Sequence, residues 1–128
     1  MRRLCTGLAA AAFVLAFGTP GFAKVETVTG TLVDQGCYRA DKTNTKEKHA
    51  MKAGPTDNCA TACAKMGLPV ALLTTDGKVY TVTGDVAADK NAKLVAHMTH
   101  TVELTGDVTT DKDGSMKIAA SNLKMISK

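Results

Sequence analysis

Cysteine carries most of the chemistry this chain can offer. Four occur in the 128 residues: Cys5, Cys37, Cys59 and Cys63. Cys59 and Cys63 stand four apart, so a helix over this stretch turns both thiols to one face. Met66 continues the same stripe at the next turn. Cys37 is expected to close the first strand, in Asp34-Gln35-Gly36-Cys37-Tyr38, and His49 lies in the polar stretch between, with Met51 close by. Cys37, His49, Cys59 and Cys63 together supply three thiolates and one imidazole. That donor set suits tetrahedral zinc, and it also suits copper(I), which favours two or three soft sulfurs. A disulfide from Cys37 to Cys59 or Cys63 is the competing use of the same residues. It would close a loop of about 20 residues and contribute roughly 3 kcal/mol. A thiol-redox pair of Cys59 or Cys63 against Cys37 is the third use. It is the least supported, because Cys59 and Cys63 do not make a Cys-x-x-Cys and no helix N-terminus lies between those two to lower a thiol pKa.

Other chemistry is thinly represented. His97-Met98-Thr99-His100 brings two imidazoles and a thioether together, a combination that binds copper. The preferred reading is that His97 caps the preceding helix and Met98 packs under the core. No Cys-x-x-Cys-His occurs, which argues against covalent haem. No Gly-x-Ser-x-Gly and no Gly-rich phosphate loop occurs either. Most aspartates read as turn residues. Asp34 differs, since it precedes Cys37 by three and suits either a turn cap or a hydrogen bond that orients His49. These observations predict a binding protein, not an enzyme.

The N-terminus determines which cysteines count. Arg2 and Arg3 precede an apolar run from Leu8 to Phe17, and Gly21 and Ala23 occupy the small-residue positions of a cleavage site. Residues 1–23 therefore read as a secretory signal, with export to the periplasm. The apolar run is shorter than the roughly 20 residues a membrane span needs. Later stretches are not apolar enough for one, so no membrane insertion is expected after cleavage. Processing removes Cys5 and leaves three cysteines in an oxidising compartment. At most one disulfide can then form within the chain, and a thiol is left over. The formal charge falls from +4 to +2 as Arg2 and Arg3 depart, which gives little reason to expect a polyanion. All three Phe leave too, and Tyr38 and Tyr80 remain as the aromatics. That is a poor platform for stacking nucleic-acid bases, so no nucleic-acid partner is expected.

The remaining residues, 24–128, fit one domain with a core of Val, Leu, Ile, Met and Ala. Residues 25–33 predict a strand bent or bulged at Gly30. Residues 39–55 are polar and lysine-rich, a surface excursion with a helical turn near 46–51. A helix over 58–66 follows, with Thr56 or Asp57 as its cap, Gly67 as its stop and Pro69 beyond. Strands at 69–75 and 78–83 flank Asp76-Gly77, a hairpin signal. Alanine-rich 86–96 predicts a second helix, and strands at 101–109 and 115–126 complete the chain. Thr-Val-Thr-Gly at 27–30 and 81–84, with Glu-Leu-Thr-Gly at 103–106, recurs at unequal spacing. It is read as glycine-marked strand ends, not a repeat architecture. Five strands with a helix between the third and fourth is the order of an OB-fold barrel, here with the Cys-bearing helix inserted between strands one and two. An open five-stranded sheet with helices on one face is the alternative.

The chain also resembles a group of small exported bacterial proteins of OB-like fold. Their pattern of Gly-x-Leu/Ile-Val-Asp-x-x-Cys-Tyr is met by Gly30 to Tyr38. A His in a polar insert is met by His49, and Cys-Ala-x-x-Cys-x-x-x-Gly-x-Pro by Cys59 to Pro69. Asp76-Gly77-Lys78 and the Leu94, His97, Val102, Leu104 and Gly106 series continue it. Thr99 stands where the group's pattern has glycine. The resemblance implies a fold and no activity. The expectation is thus a periplasmic binding module, its Cys/His cluster either a zinc or copper site or a disulfide-fixed loop that meets a protein partner. A thiol-redox protein and a purely structural interaction domain are the alternatives.

Overall fold

The computed structural model of the protein describes residues 23–45 and 59–128. Residues 1–22 of the signal segment with Cys5, the excursion from residue 46 to 55 with its expected helical turn, His49 and Met51, and the expected caps Thr56 and Asp57 lie outside the described residues.

Five strands form a closed barrel: β1 (Lys24–Asp34), β2 (Val70–Leu73), β3 (Val79–Thr83), β4 (Thr101–Thr110) and β5 (Met116–Ser127). Their order around the barrel is β1-β2-β3-β5-β4, with β4 closing onto β1. β3 and β5 run parallel and every other pair is antiparallel. This is the OB-fold arrangement expected from the element order, and the open-sheet alternative does not hold. Three helices accompany it: α1 (Gln35–Ala40) and α2 (Cys59–Lys65) between β1 and β2, and α3 (Ala88–Val95), preceded by a 3-10 turn at Asp85–Ala87, between β3 and β4.

Alternation along the strands builds the interior. Leu32 of β1, Leu72 of β2, Tyr80 and Val82 of β3, Val102 and Leu104 of β4, and Ile118 and Ala120 of β5 are buried in one cluster. Val86, Leu94 and Met98 join it from the β3–β4 connection, and Ala60 and Ala64 from α2. The core is thus aliphatic, with Tyr80 its aromatic member. Burial of Met98 withdraws that thioether from the His97–His100 cluster, as the packing reading expects.

Two of the recurring glycines have a role other than marking strand ends. A Cβ on Gly30 would lie 2.5 Å from the Leu73 carbonyl oxygen, and one on Gly106 would lie 2.1 Å from that of Ala119. Both sit inside strands. β1 pairs with β4 up to Thr31 and with β2 from Thr31 onward, so Gly30 lies where the strand passes from one neighbour to the next. The β1 registers run unbroken there; the register shifts fall instead between β4 and β5, at Thr101/Val102 and Thr105/Gly106.

Both hairpins follow their turn chemistry. Thr74 N–H donates to the Lys78 carbonyl at 2.9 Å around Gly77, and Asp111 N–H to the Ser115 carbonyl at 2.8 Å around Gly114. Gly77 and Gly114 have φ of 86° and 84°, the left-handed values glycine adopts freely.

Candidate metal centre

Cys37 does not close a strand. It lies in α1, a six-residue helix that starts directly after β1. Asp34 is the N-cap, and its Oδ1 accepts from the Cys37 backbone N–H at 2.6 Å. This satisfies one of the donors that a helix start leaves without an intrahelical partner. The cap expected of Asp34 is thus present, and its other expected role, a hydrogen bond to His49, lies outside the described residues. Gln35 N–H donates to the Pro69 carbonyl at 3.0 Å, which fastens the start of α1 to the entry of β2.

α2 supplies the other two thiols. Its C-terminal end is closed by Gly67 at φ 83°, with Leu68 N–H donating to the Cys63 carbonyl at 3.2 Å. The buried Asn91 side chain donates from Nδ2 to the carbonyls of Ala64, at 3.1 Å, and Leu68, at 2.9 Å. α2 is thereby tied to α3 on one side, while Ala60 and Ala64 sit in the core. The helix ends at Lys65, and Met66 beyond it is 62% exposed.

The two helices bring the Sγ atoms of Cys37, Cys59 and Cys63 within 4.8 Å of one another. Cys37 and Cys59 are half-buried and Cys63 is buried. The Cys37 and Cys59 sulfurs are 3.4 Å apart. A disulfide requires about 2.05 Å, and all three cysteines are free thiols. Two thiolates on a tetrahedral zinc with 2.3 Å bonds stand about 3.8 Å apart, so the separations suit a shared cation without large movement. His49, the fourth expected ligand, lies outside the described residues.

Two of the thiols, Cys37 and Cys63, are held toward their protonated form. Burial pushes the Cys37 thiol far up, and the Asp34 carboxylate and the neighbouring Cys59 add to this. Cys63 is raised by burial first, then by the charges of Asp34 and Cys59. A coordinated cation reverses this balance, since it deprotonates a ligating thiol outright. Asp34 is only 3% exposed, and its Oδ2 is buried without a hydrogen-bond partner among the described residues.

His97 and His100 stand apart from the three-thiol group. Their rings meet edge to face with centroids 6.5 Å apart, and the Nδ1 atom of each is buried without a partner. Backbone bonds hold their loop against β1: Thr99 N–H donates to the Leu32 carbonyl at 2.8 Å and Leu32 N–H to that of His100 at 3.1 Å. Thr99 has φ 69°, a left-handed conformation that glycine adopts more freely.

Comparison of the chain with protein families, curated proteins and solved structures finds no match.

Proposed function

We propose that this is an exported, non-enzymatic binding protein of the periplasm whose three-cysteine cluster holds one soft metal ion, zinc or copper(I). The observation that carries the reading is the convergence of three Sγ atoms from two separate helices within 4.8 Å. Chain connectivity alone does not produce it, because Cys37 is 22 residues from Cys59. Copper(I) is satisfied by the three sulfurs, whereas zinc takes a fourth ligand. We assign that fourth place to His49, with the buried Asp34 carboxylate, which is not among the donors gathered within 4.8 Å, acting beside the thiols and not as a ligand.

A second reading rests on the 3.4 Å contact between Cys37 and Cys59. Oxidation would join these two as a staple that fixes the excursion to the barrel and presents it to a protein partner, with buried Cys63 as the spare thiol. A thiol-exchange catalyst is less well supported. The attacking species in exchange is the thiolate, and burial holds Cys37 and Cys63 in the thiol form.

The deciding experiment counts thiols and metal in protein purified from the periplasm. Thiols are titrated under denaturing conditions with chelator, and bound metal is measured by native mass spectrometry. Three thiols with one metal per chain support the metal site. One thiol and no metal establish the staple and reject the metal. In the metal case chelation should also lower the thermal midpoint, and Cys63→Ser should abolish that response. Ligand linkage sets the scale, at about 2.7 kcal/mol when metal is present at a hundredfold excess over its dissociation constant.

A further inference from the structure

α1 has a second face. Gln35, Tyr38 and Arg39 lie at the three- and four-residue spacing of one side of α1, Lys42 follows two residues beyond its end, and all four line a cleft of about 430 Å³. The opposite wall comes from the tips of the two hairpins, at Gly77-Lys78 and Gly114-Ser115, and the strand side from Val79, Thr81 and Met116. The Thr81 hydroxyl donates to Gln35 Oε1 at 3.2 Å, which fixes the helix against β3. The volume falls within the range of small-molecule sites, roughly 300–1,000 Å³.

The charged residues that line this cleft, Arg39, Lys42 and Lys78, are all basic, while the carboxylates of Asp111 and Asp113 stand at its Ser115 end, where they accept from the Ser115 hydroxyl at 3.3 and 2.6 Å. Lys78 shares its charge with exposed Asp76, 3.5 Å away. Among the described residues the other ion pairs, Lys24–Glu26 and Lys117–Asp111, involve neither Arg39 nor Lys42. The Lys42 ammonium lies 4.3 Å from the Tyr38 ring centroid, a cation–π contact that holds it beside the cleft. A guanidinium offers a planar fork that matches a carboxylate or phosphate, and an ammonium adds a point charge beside it. Two such groups over a partly apolar floor suit one anionic group on a small body. They do not suit a polyanionic chain, which needs a longer track of cations.

We propose that this cleft binds a small oxyanion, a carboxylate or a phosphate monoester carried on a molecule of monosaccharide size. The site is independent of the cysteine cluster, although α1 contributes to both. The test is a titration of the purified protein with glucose 6-phosphate, glucuronate and glucose, followed by amide NMR shifts. One or both charged probes should bind saturably, with shifts concentrated at Tyr38, Arg39, Thr81 and Ser115, and glucose should not. The two charged arms separate phosphate from carboxylate. Arg39→Ala should weaken binding at least tenfold, Lys24→Ala should leave it unchanged, and Cys63→Ser should retain it whatever becomes of the metal. Circular dichroism of each variant confirms that it folds, and Arg39→Lys, which keeps the charge and loses the fork, should bind with intermediate affinity. Absence of saturation by about 10 mM, far weaker than an ordinary millimolar site, overturns the proposal. So does equal binding of glucose, or binding that Arg39→Ala and Lys42→Ala leave intact.

Discussion

Asp34 shows how one side chain can serve both local structure and a site. One carboxylate oxygen caps α1, while the other is buried without a partner among the described residues, beside thiols whose protons its charge retains. An unpaired buried carboxylate oxygen is costly unless something offsets its charge, and a cation among the thiols would do so. Asparagine caps a helix about as well as aspartate. Asp34→Asn should therefore leave the helix content unchanged while weakening zinc binding by about 10- to 100-fold, the usual cost of losing a group that supports a metal site. Competition with a chromophoric chelator measures it, and an unchanged affinity would confine Asp34 to capping. Thr99 makes a separate residue-scale case. A β-branched residue at φ 69° carries left-handed strain of about 1–2 kcal/mol, partly offset because glycine loses more backbone entropy on folding. Thr99→Gly should stabilise the protein by about 0.5–1 kcal/mol in urea unfolding, in spite of the lost hydroxyl.

At the scale of elements, α2 is held by what it touches more than by its own length. Seven residues make a marginal helix in isolation. Two of its ties are the alanines in the core and the Asn91 amide on the Ala64 and Leu68 carbonyls. Asn91→Ala leaves both carbonyls without that donor and should cost about 1–3 kcal/mol. The same variant should loosen metal binding, because Cys59 and Cys63 ride on the helix it anchors. A stability loss with unchanged metal affinity would show that the thiols are positioned independently of α3. The sequence displayed α2 clearly, through the four-residue cysteine spacing and the Gly67 stop, and it displayed both hairpins through Asp-Gly. It concealed α1. The run of β1 passes straight into Gln35-Gly36-Cys37, and six residues are too few for a period to emerge, so only the Asp three places before Cys37 hinted at a cap. It also concealed the backbone of α3, where Asp89, Lys90 and Asn91 all have φ between 51° and 61°. No glycine marks that stretch. Asn91 tolerates the left-handed region, and its two hydrogen bonds to α2 are the tertiary reason for it to be there.

At the scale of the whole molecule, barrel closure depends on backbones approaching where side chains would otherwise intervene. The strand order was legible because a helix after the third strand and two Asp-Gly turns leave few other ways to connect five strands. Where strands must nearly touch was not, since Thr-Gly reads equally well as a strand end. Two glycines separate the competing physical causes. Gly106 is crowded, with the Ala119 carbonyl oxygen 2.1 Å and the Ala120 Cα 2.6 Å from where a Cβ would stand. Gly77 has a left-handed φ of 86° and nothing within 4 Å. Alanine at Gly77 therefore meets conformational strain alone, about 1–2 kcal/mol. Alanine at Gly106 must push β4 away from β5, next to a register shift already present at Thr105/Gly106, and should cost about 3 kcal/mol or more, in the range of severe overpacking. Urea unfolding of the two variants should rank Gly106→Ala well below Gly77→Ala. Because β5 is also the parallel partner of β3, the displacement should reach across the barrel, with faster amide exchange at Val82 and Thr83 as well as in β4. Equal destabilisation of the two, or exchange confined to the β4–β5 ladder, would mean that the barrel absorbs the added methyl locally and that its closure does not depend on this contact.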